Sequence, residues 1–240
     1  MSPAALGVAG LTPFSSVDYP GQLAAVVFIA GCPWRCGYCH NPDMQRRSAA
    51  GLSWPDLLAW LQRRIGLLDA VVFSGGEATL DPALPQALAD TRALGFKIGL
   101  HTAGMLPQRL PPLLPLLDWV GLDIKAPLDD AALLGRITGL RSAAAAQRAA
   151  AAVRASLTLL SGAGIAFECR STVHPLLHDD TALQAMATQL QRAGIPHWAL
   201  QIARPEGCAR PLPPVADNYP AAALLAELKK ALPGLALRRS

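Results

Sequence analysis

Short apolar runs alternate with longer amphipathic segments along the whole chain. Ala24 to Ala30 is continuous, β-branched at its centre and followed by Gly31, the pattern of a strand buried on both faces. Ser53 to Ile65 reads as a helix, with Ser53 as N-cap and Leu57, Leu58, Leu61 and Ile65 on its apolar side. Ala70 to Phe73 is the next strand and runs into Ser74-Gly75-Gly76. A helix follows from about Pro82 to Leu94, stopped by Gly95, and then a strand from Lys97 to Thr102. The prolines at 107, 111, 112 and 115 allow only short or irregular helix there. Further strands are expected at Trp119 to Ile124, Ile165 to Val173 and Trp198 to Ala203. Helices are expected at Ser142 to Leu160, Thr181 to Ala193 and Tyr219 to Leu232.

This succession of β-then-α units implies an α/β fold with a parallel sheet. No linker divides it, because the alanine cluster from Ala143 to Ala152 has helix propensity rather than linker character, so one domain over 1–240 is expected. Periodicity alone does not separate a closed barrel, an open barrel and a doubly wound sheet. All three place their chemistry at the C-terminal ends of the strands.

Composition narrows the class. Hydrophobic residues make up 52% of the chain, yet no apolar run reaches the roughly 18–20 residues of a membrane span. Met1 to Gly10 lacks the basic start and apolar stretch of a secretory leader, so a cytoplasmic location is expected. Net charge is +4, but the arginine pairs at 46–47, 63–64 and 238–239 are scattered, and aromatics are only 5% of the chain. That is not the concentrated basic face of a nucleic-acid groove.

Of the five cysteines, Cys32, Cys36 and Cys39 fall in one short loop, and the odd count argues against a disulfide framework. The loop, Gly31-Cys32-Pro33-Trp34-Arg35-Cys36-Gly37-Tyr38-Cys39-His40-Asn41, directly follows the first strand. Three thiolates can take three corners of a cubane cluster and leave one iron open. A zinc knot completed by His40 or a distant cysteine is the alternative, although no second CxxC pair accompanies it.

Three more strand ends carry candidate chemistry. At Ser74-Gly75-Gly76-Glu77 the glycines let backbone approach a ligand, and the carbonyls with Glu77 could hold an ammonium group. Asp123 and Lys125 share a face by the period of two, as a ligand site or a local ion pair. Arg170, in Glu168-Cys169-Arg170, is costly to bury without an anion, whereas Cys169 points the other way, toward the core. Cys208 lies in a loop with Pro205 and Gly207, and no metal role is assigned to it.

CxxxCxxC followed by Gly-Gly-Glu after the next strand resembles the radical S-adenosylmethionine (SAM) superfamily. The narrower resemblance is to activating proteins of anaerobic ribonucleoside-triphosphate reductase, a glycyl-radical enzyme. It runs from Phe14-Ser15-Ser16-Val17-Asp18-Tyr19-Pro20-Gly21 through the cysteine loop, Val71 to Leu80, Gly121 to Pro127 and Phe167 to Pro175, to Leu200–Cys208. It implies a partial (β/α)6 barrel, with 1–22 as an N-terminal extension, 23–205 as barrel core and 206–240 as a C-terminal loop and helix. It also implies a 4Fe-4S cluster on Cys32, Cys36 and Cys39, with SAM bound through amine and carboxylate at the open iron. Reductive cleavage would give methionine and a 5′-deoxyadenosyl radical, which takes a hydrogen from a glycine of the partner reductase.

By the same resemblance Tyr38 meets the adenine through its backbone, and Gly75, Gly76 and Glu77 hold the methionine amine. Asp123 and Lys125 sit near the ribose and carboxylate, with Thr102, Arg170 and Gln201 on the same rim. No catalytic side chain beyond cluster and cofactor is expected. A reducing electron donor such as flavodoxin or ferredoxin is implied, and neither nucleic acid nor membrane is a partner. One departure is visible: where related activases carry Asp-Thr-Asn-Gly, this chain has His101-Thr102-Ala103-Gly104. Rival readings are a radical SAM enzyme for a small molecule or another glycyl-radical protein, and a non-catalytic iron–sulfur or zinc module.

Overall fold

The computed structural model describes residues 6–47, 51–208 and 211–239. Met1 to Ala5, part of the N-terminal stretch read as lacking a secretory leader, lie outside them. One sheet holds eight strands in chain order: β1 (Val8–Ser15), β2 (Ala24–Ile29), β3 (Ala70–Gly75), β4 (Lys97–Thr102), β5 (Trp119–Asp123), β6 (Ala166–Val173), β7 (Trp198–Ile202) and β8 (Leu235–Arg238). β1 pairs antiparallel with β2, and every later pair is parallel. The helices are α1 (Trp54–Gln62), α2 (Leu84–Ala93), α3 (Ala131–Thr138), α4 (Ala143–Gly162), α5 (Asp180–Arg192) and α6 (Ala222–Ala231). The α/β, parallel-strand partial barrel expected from the sequence is what forms. No described helix is long and apolar enough to cross a membrane.

The six expected strands stand within a residue or three of their reading, and the proline-rich stretch forms two single 3-10 turns. Three elements were not anticipated. β1 carries Gly10 and Pro13 and sits at the sheet edge, where a missing N–H is tolerated. α3 is short and contains Gly135, but Asp130 caps it through Leu133 N–H at 2.8 Å, and Gly139 ends it in the left-handed region. β8 is only four residues long. β1 and β8 therefore bring parts of 1–22 and 206–240 into the same sheet as the strands between them.

Side chains alternate along each strand, so the sheet has two distinct faces. One face, with Val27, Phe73, Leu100, Leu122, Cys169 and Leu200, packs under the helices in the main core. The other is built of small and polar residues around a cluster of Tyr19, Val26, Val72 and Trp119, with Tyr19 stacked on Trp119 at 5.1 Å. Gly121 on that second face makes room for its neighbours. A Cβ there would stand 2.9 Å from Arg170 Cδ and 3.0 Å from the His101 ring.

Candidate active site

The cysteine loop leaves β2 at its C-terminal end and is tied down at several backbone positions. Gly31 N–H donates to Met44 O at 2.7 Å, and Cys32 N–H to Gln45 O at 3.1 Å. Arg35 and Gly37 N–H groups donate to Thr138 O and Ile137 O, at 2.8 and 3.1 Å. Those carbonyls are at the end of α3, which has no partner for them within the helix. The unanticipated helix is thus an anchor of the loop.

Beside the loop lies a cavity of about 190 Å³. Cys32, Cys36 and Cys39 line it, with Tyr38. Gly75, Gly76 and Thr102 line it too, and Asp123 with Lys125 completes the wall. Gly75 adopts φ of 116°, and a Cβ there would stand 2.4 Å from the Ile29 backbone. At Gly76 it would stand 2.3 Å from Gly31 O, so only glycine lets this turn pack on β2 and the loop. Ser74, Trp34, Asn41 and Gln45 also line the cavity. Sequence reasoning left all four unassigned, and none carries a spacing signal of its own.

The three cysteines are unbridged. Burial pushes the Cys32 thiol up to about 11 and raises Cys36 as well. Such thiols become thiolates when cations are bound to them. Among the described residues no three His, Cys, Asp or Glu side chains converge tightly enough for one metal ion. Three thiols lining one cavity can take three corners of a cluster and leave the fourth iron open. His40, the other candidate zinc ligand, has its Nδ1 3.0 Å from Glu206 O and therefore donates there.

Lys125 Nζ donates to Asp123 Oδ2 at 2.7 Å and lies 5.7 Å from the Tyr38 ring centre. Burial alone would raise the Asp123 carboxyl, but the Lys125 ammonium and Arg170 outweigh it and hold it below its ordinary value. Asp123 in turn keeps Lys125 charged despite its burial. The local ion pair and the ligand wall are the same feature. The Tyr38 hydroxyl is buried and has no hydrogen-bond partner among the described residues.

Three expected site residues stand elsewhere. Glu77 is 1% exposed, off the cavity wall. Its Oε1 accepts from the Thr79 and Thr102 hydroxyls, at 2.5 and 2.7 Å, and its Oε2 from Ala103 N–H at 2.8 Å. It fastens β4 to the Gly-Gly turn. Arg170 donates from Nη1 to His101 Nε2 at 2.6 Å and stands 3.7 Å from Glu168, which Arg238 grips at 2.8 and 2.9 Å. Gln201 is half-buried on β7, beside Thr172, also off the wall.

His101, whose role the sequence left open, lines the cavity and accepts from Arg170. The same Nε2 also lies 2.9 Å from the Asp18 carbonyl oxygen, and Nδ1 lies 3.2 Å from Ser74 Oγ, so the ring sits between an arginine donor and a carbonyl acceptor. Burial, and then Arg170, lower this imidazole to about 4. Cys169 is fully buried on the helix-covered face, as expected. Cys208 Sγ lies 3.9 Å from His40 Nδ1, off the cavity wall.

Residues 26–186 match the model of the Radical SAM superfamily. A putative glycyl-radical enzyme activating enzyme of Methanocaldococcus jannaschii is 31% identical over 125 residues, 51% of each chain. The pyruvate formate-lyase-activating enzyme of Clostridium pasteurianum is 38% identical over 120 residues, 48% of this chain and 50% of that one. The PqqA peptide cyclase of Gluconobacter oxydans is 36% identical over 148 residues, 60% of this chain and 39% of its own. The matched segments thus span about half or less of these relatives. Among solved structures, QueE from Escherichia coli superposes with a TM-score of 0.51 at 18% identity, over 98% of this chain and 93% of that one. Streptococcus suis SuiB bound to its precursor peptide gives 0.66 at 15% identity, over 89% and 48%. These likenesses concern the fold.

Proposed function

The chain belongs to the radical SAM superfamily, and on that premise we propose that it is an activating enzyme for a glycyl-radical protein, anaerobic ribonucleoside-triphosphate reductase. The family's cofactors are a 4Fe-4S cluster and SAM, and Cys32, Cys36 and Cys39 fit its motif. The cluster, when bound and reduced, supplies the electron that splits SAM into methionine and the 5′-deoxyadenosyl radical that takes hydrogen from the target glycine. Everything else falls to the protein's own residues.

The observation that carries the reading is the meeting of three thiols, the Gly75-Gly76 backbone and the Asp123–Lys125 pair around one cavity. In this reading the thiolates of Cys32, Cys36 and Cys39 hold iron. Carbonyls at Gly75 and Gly76 face the methionine ammonium, and the Lys125 ammonium faces its carboxylate. Asp123 meets the ribose, and Tyr38 lies along the adenine. Thr102 closes the wall with its hydroxyl already given to Glu77. Glu77, Arg170 and Gln201 act from behind that wall.

Cys36 and Cys39 also border a second recess of about 420 Å³, on which Arg35 and Arg141 lie and, among the described residues, no carboxylate does. It suits an acidic electron carrier such as flavodoxin or ferredoxin, because attraction to the arginines brings its redox centre near the thiols. A cluster of this kind and unbridged cysteines suit a reducing compartment, the cytoplasm.

The test is to mix reduced protein, SAM and the reductase without oxygen. A glycyl-radical doublet in electron paramagnetic resonance supports the proposal. SAM cleavage without a doublet favours the second reading, a different glycyl-radical protein or a peptide or small-molecule substrate. The pyruvate formate-lyase activator and peptide cyclase among the relatives are what give that reading weight.

A further inference from the structure

The cavity wall at Lys125 is held from behind by two histidines that the proposed chemistry does not use. His178 is fully buried, and its Nε2 lies 3.0 Å from the Lys125 carbonyl oxygen. A carbonyl only accepts, so Nε2 carries the proton. Nδ1 is then an acceptor, and the His174 backbone N–H points at it from 3.4 Å. His174, 2% exposed, repeats the arrangement: Nδ1 accepts from Leu176 N–H at 3.1 Å, and Nε2 donates to Pro213 O at 2.9 Å. Tyr219 Oη donates to the His178 carbonyl at 2.9 Å. All four ring nitrogens are thereby engaged by backbone.

Lys125 follows the end of β5, past the sheet ladder, where its carbonyl has no strand partner. His178 supplies the missing donor. That carbonyl belongs to the residue whose ammonium reaches Asp123 and lies over Tyr38. We propose that His178 is a positioning residue for SAM binding: its Nε2–H fixes the Lys125 backbone, and hence the Asp123–Lys125 wall. His174 fastens the same bracket to the segment 213–219. The inference rests on the SAM-site reading above, for which wild-type binding is the separate check.

Burial keeps the His178 ring below its ordinary pKa, in the neutral form this geometry requires. Gln and Asn substitutions distinguish positioning from mere space filling. Glutamine carries its amide nitrogen near the place of Nε2, whereas asparagine carries it near Nδ1. The affinity of the cluster-loaded full chain for SAM is measured by equilibrium dialysis. His178→Gln is expected to bind within about threefold of wild type, and His178→Asn about tenfold more weakly, the effect of one buried hydrogen bond. In cluster-free protein, nitrogen-15 shifts of His178 are expected to report the Nε2–H tautomer. Equal affinities for wild type and both variants, equal losses in both variants, or an Nδ1–H tautomer would overturn the proposal. Absence of SAM binding in the wild type would instead overturn the reading on which it rests.

Discussion

The Thr102 hydroxyl donates to the Glu77 carboxylate at 2.7 Å, joining the ends of β3 and β4 directly behind the cavity wall. With Thr79 and Ala103 it surrounds a carboxyl whose pKa burial raises. Glu77→Gln replaces an acceptor oxygen with a donor amide in a carboxylate site that faces four donors. The variant is expected to lose about 1–3 kcal/mol of stability, the penalty for an unmatched buried polar group. Chemical denaturation of the cluster-free protein checks this, and unchanged stability would return Glu77 to a ligand-facing role.

His101 lies between Arg170 and the Asp18 carbonyl, and burial, then Arg170, outweigh Asp18 and lower its pKa from 6.5 to about 4. A histidine depressed on folding contributes stability that is present above its unfolded value and lost as pH falls through the folded one. Wild-type stability should therefore fall between pH 6.5 and about 4 more steeply than that of His101→Gln, which accepts from Arg170 at every pH. Urea titrations of both proteins across that window measure the difference. Parallel curves would show that the imidazole is not desolvated as described.

Gly121 is the slot through which Arg170 reaches His101. Adding a methyl group 2.9 Å from Arg170 Cδ forces the guanidinium or the ring to move. Gly121→Ala is expected to cost about 1–3 kcal/mol, as overpacking does. It should also flatten the pH dependence assigned to His101. Thermal unfolding at two pH values tests both effects.

In the proposed function, Arg35 and Arg141 beside Cys36 and Cys39 offer an acidic reductant a positively charged face. Arg141→Glu should slow cluster reduction by an acidic carrier roughly tenfold at low salt, and less at high salt. SAM cleavage driven by dithionite should stay at the wild-type rate. Stopped-flow absorbance follows both reductions. An equal slowing with dithionite would place the defect in the cluster and not in docking.

Much of this was legible in the sequence because strong local signals coincide with it. The apolar runs at 24–30, 70–73 and 97–102 leave little alternative to strands, and CxxxCxxC after the first run marks the cavity edge. What was illegible depends on partners distant in sequence. α3 has a glycine at its centre and draws its place from the cysteine loop that caps it. β1 tolerates Pro13 only because it is an edge. Glu77 and Arg170 read as ligand groups, since a lone charge near glycines or in a strand looks unpaired. Their partners, Thr102 and Ala103 for one and His101 for the other, come from β4 and the residue just after it. The histidines at 174 and 178 have no sequence signal, because what they bind is backbone.

The most direct measurement is anaerobic reconstitution of the full chain with iron and sulfide, followed by dithionite and SAM. The expected result is about four irons and four sulfides per chain, with methionine and 5′-deoxyadenosine as products, and neither product from Cys36→Ala. One zinc without sulfide, or undiminished cleavage by Cys36→Ala, would contradict the account.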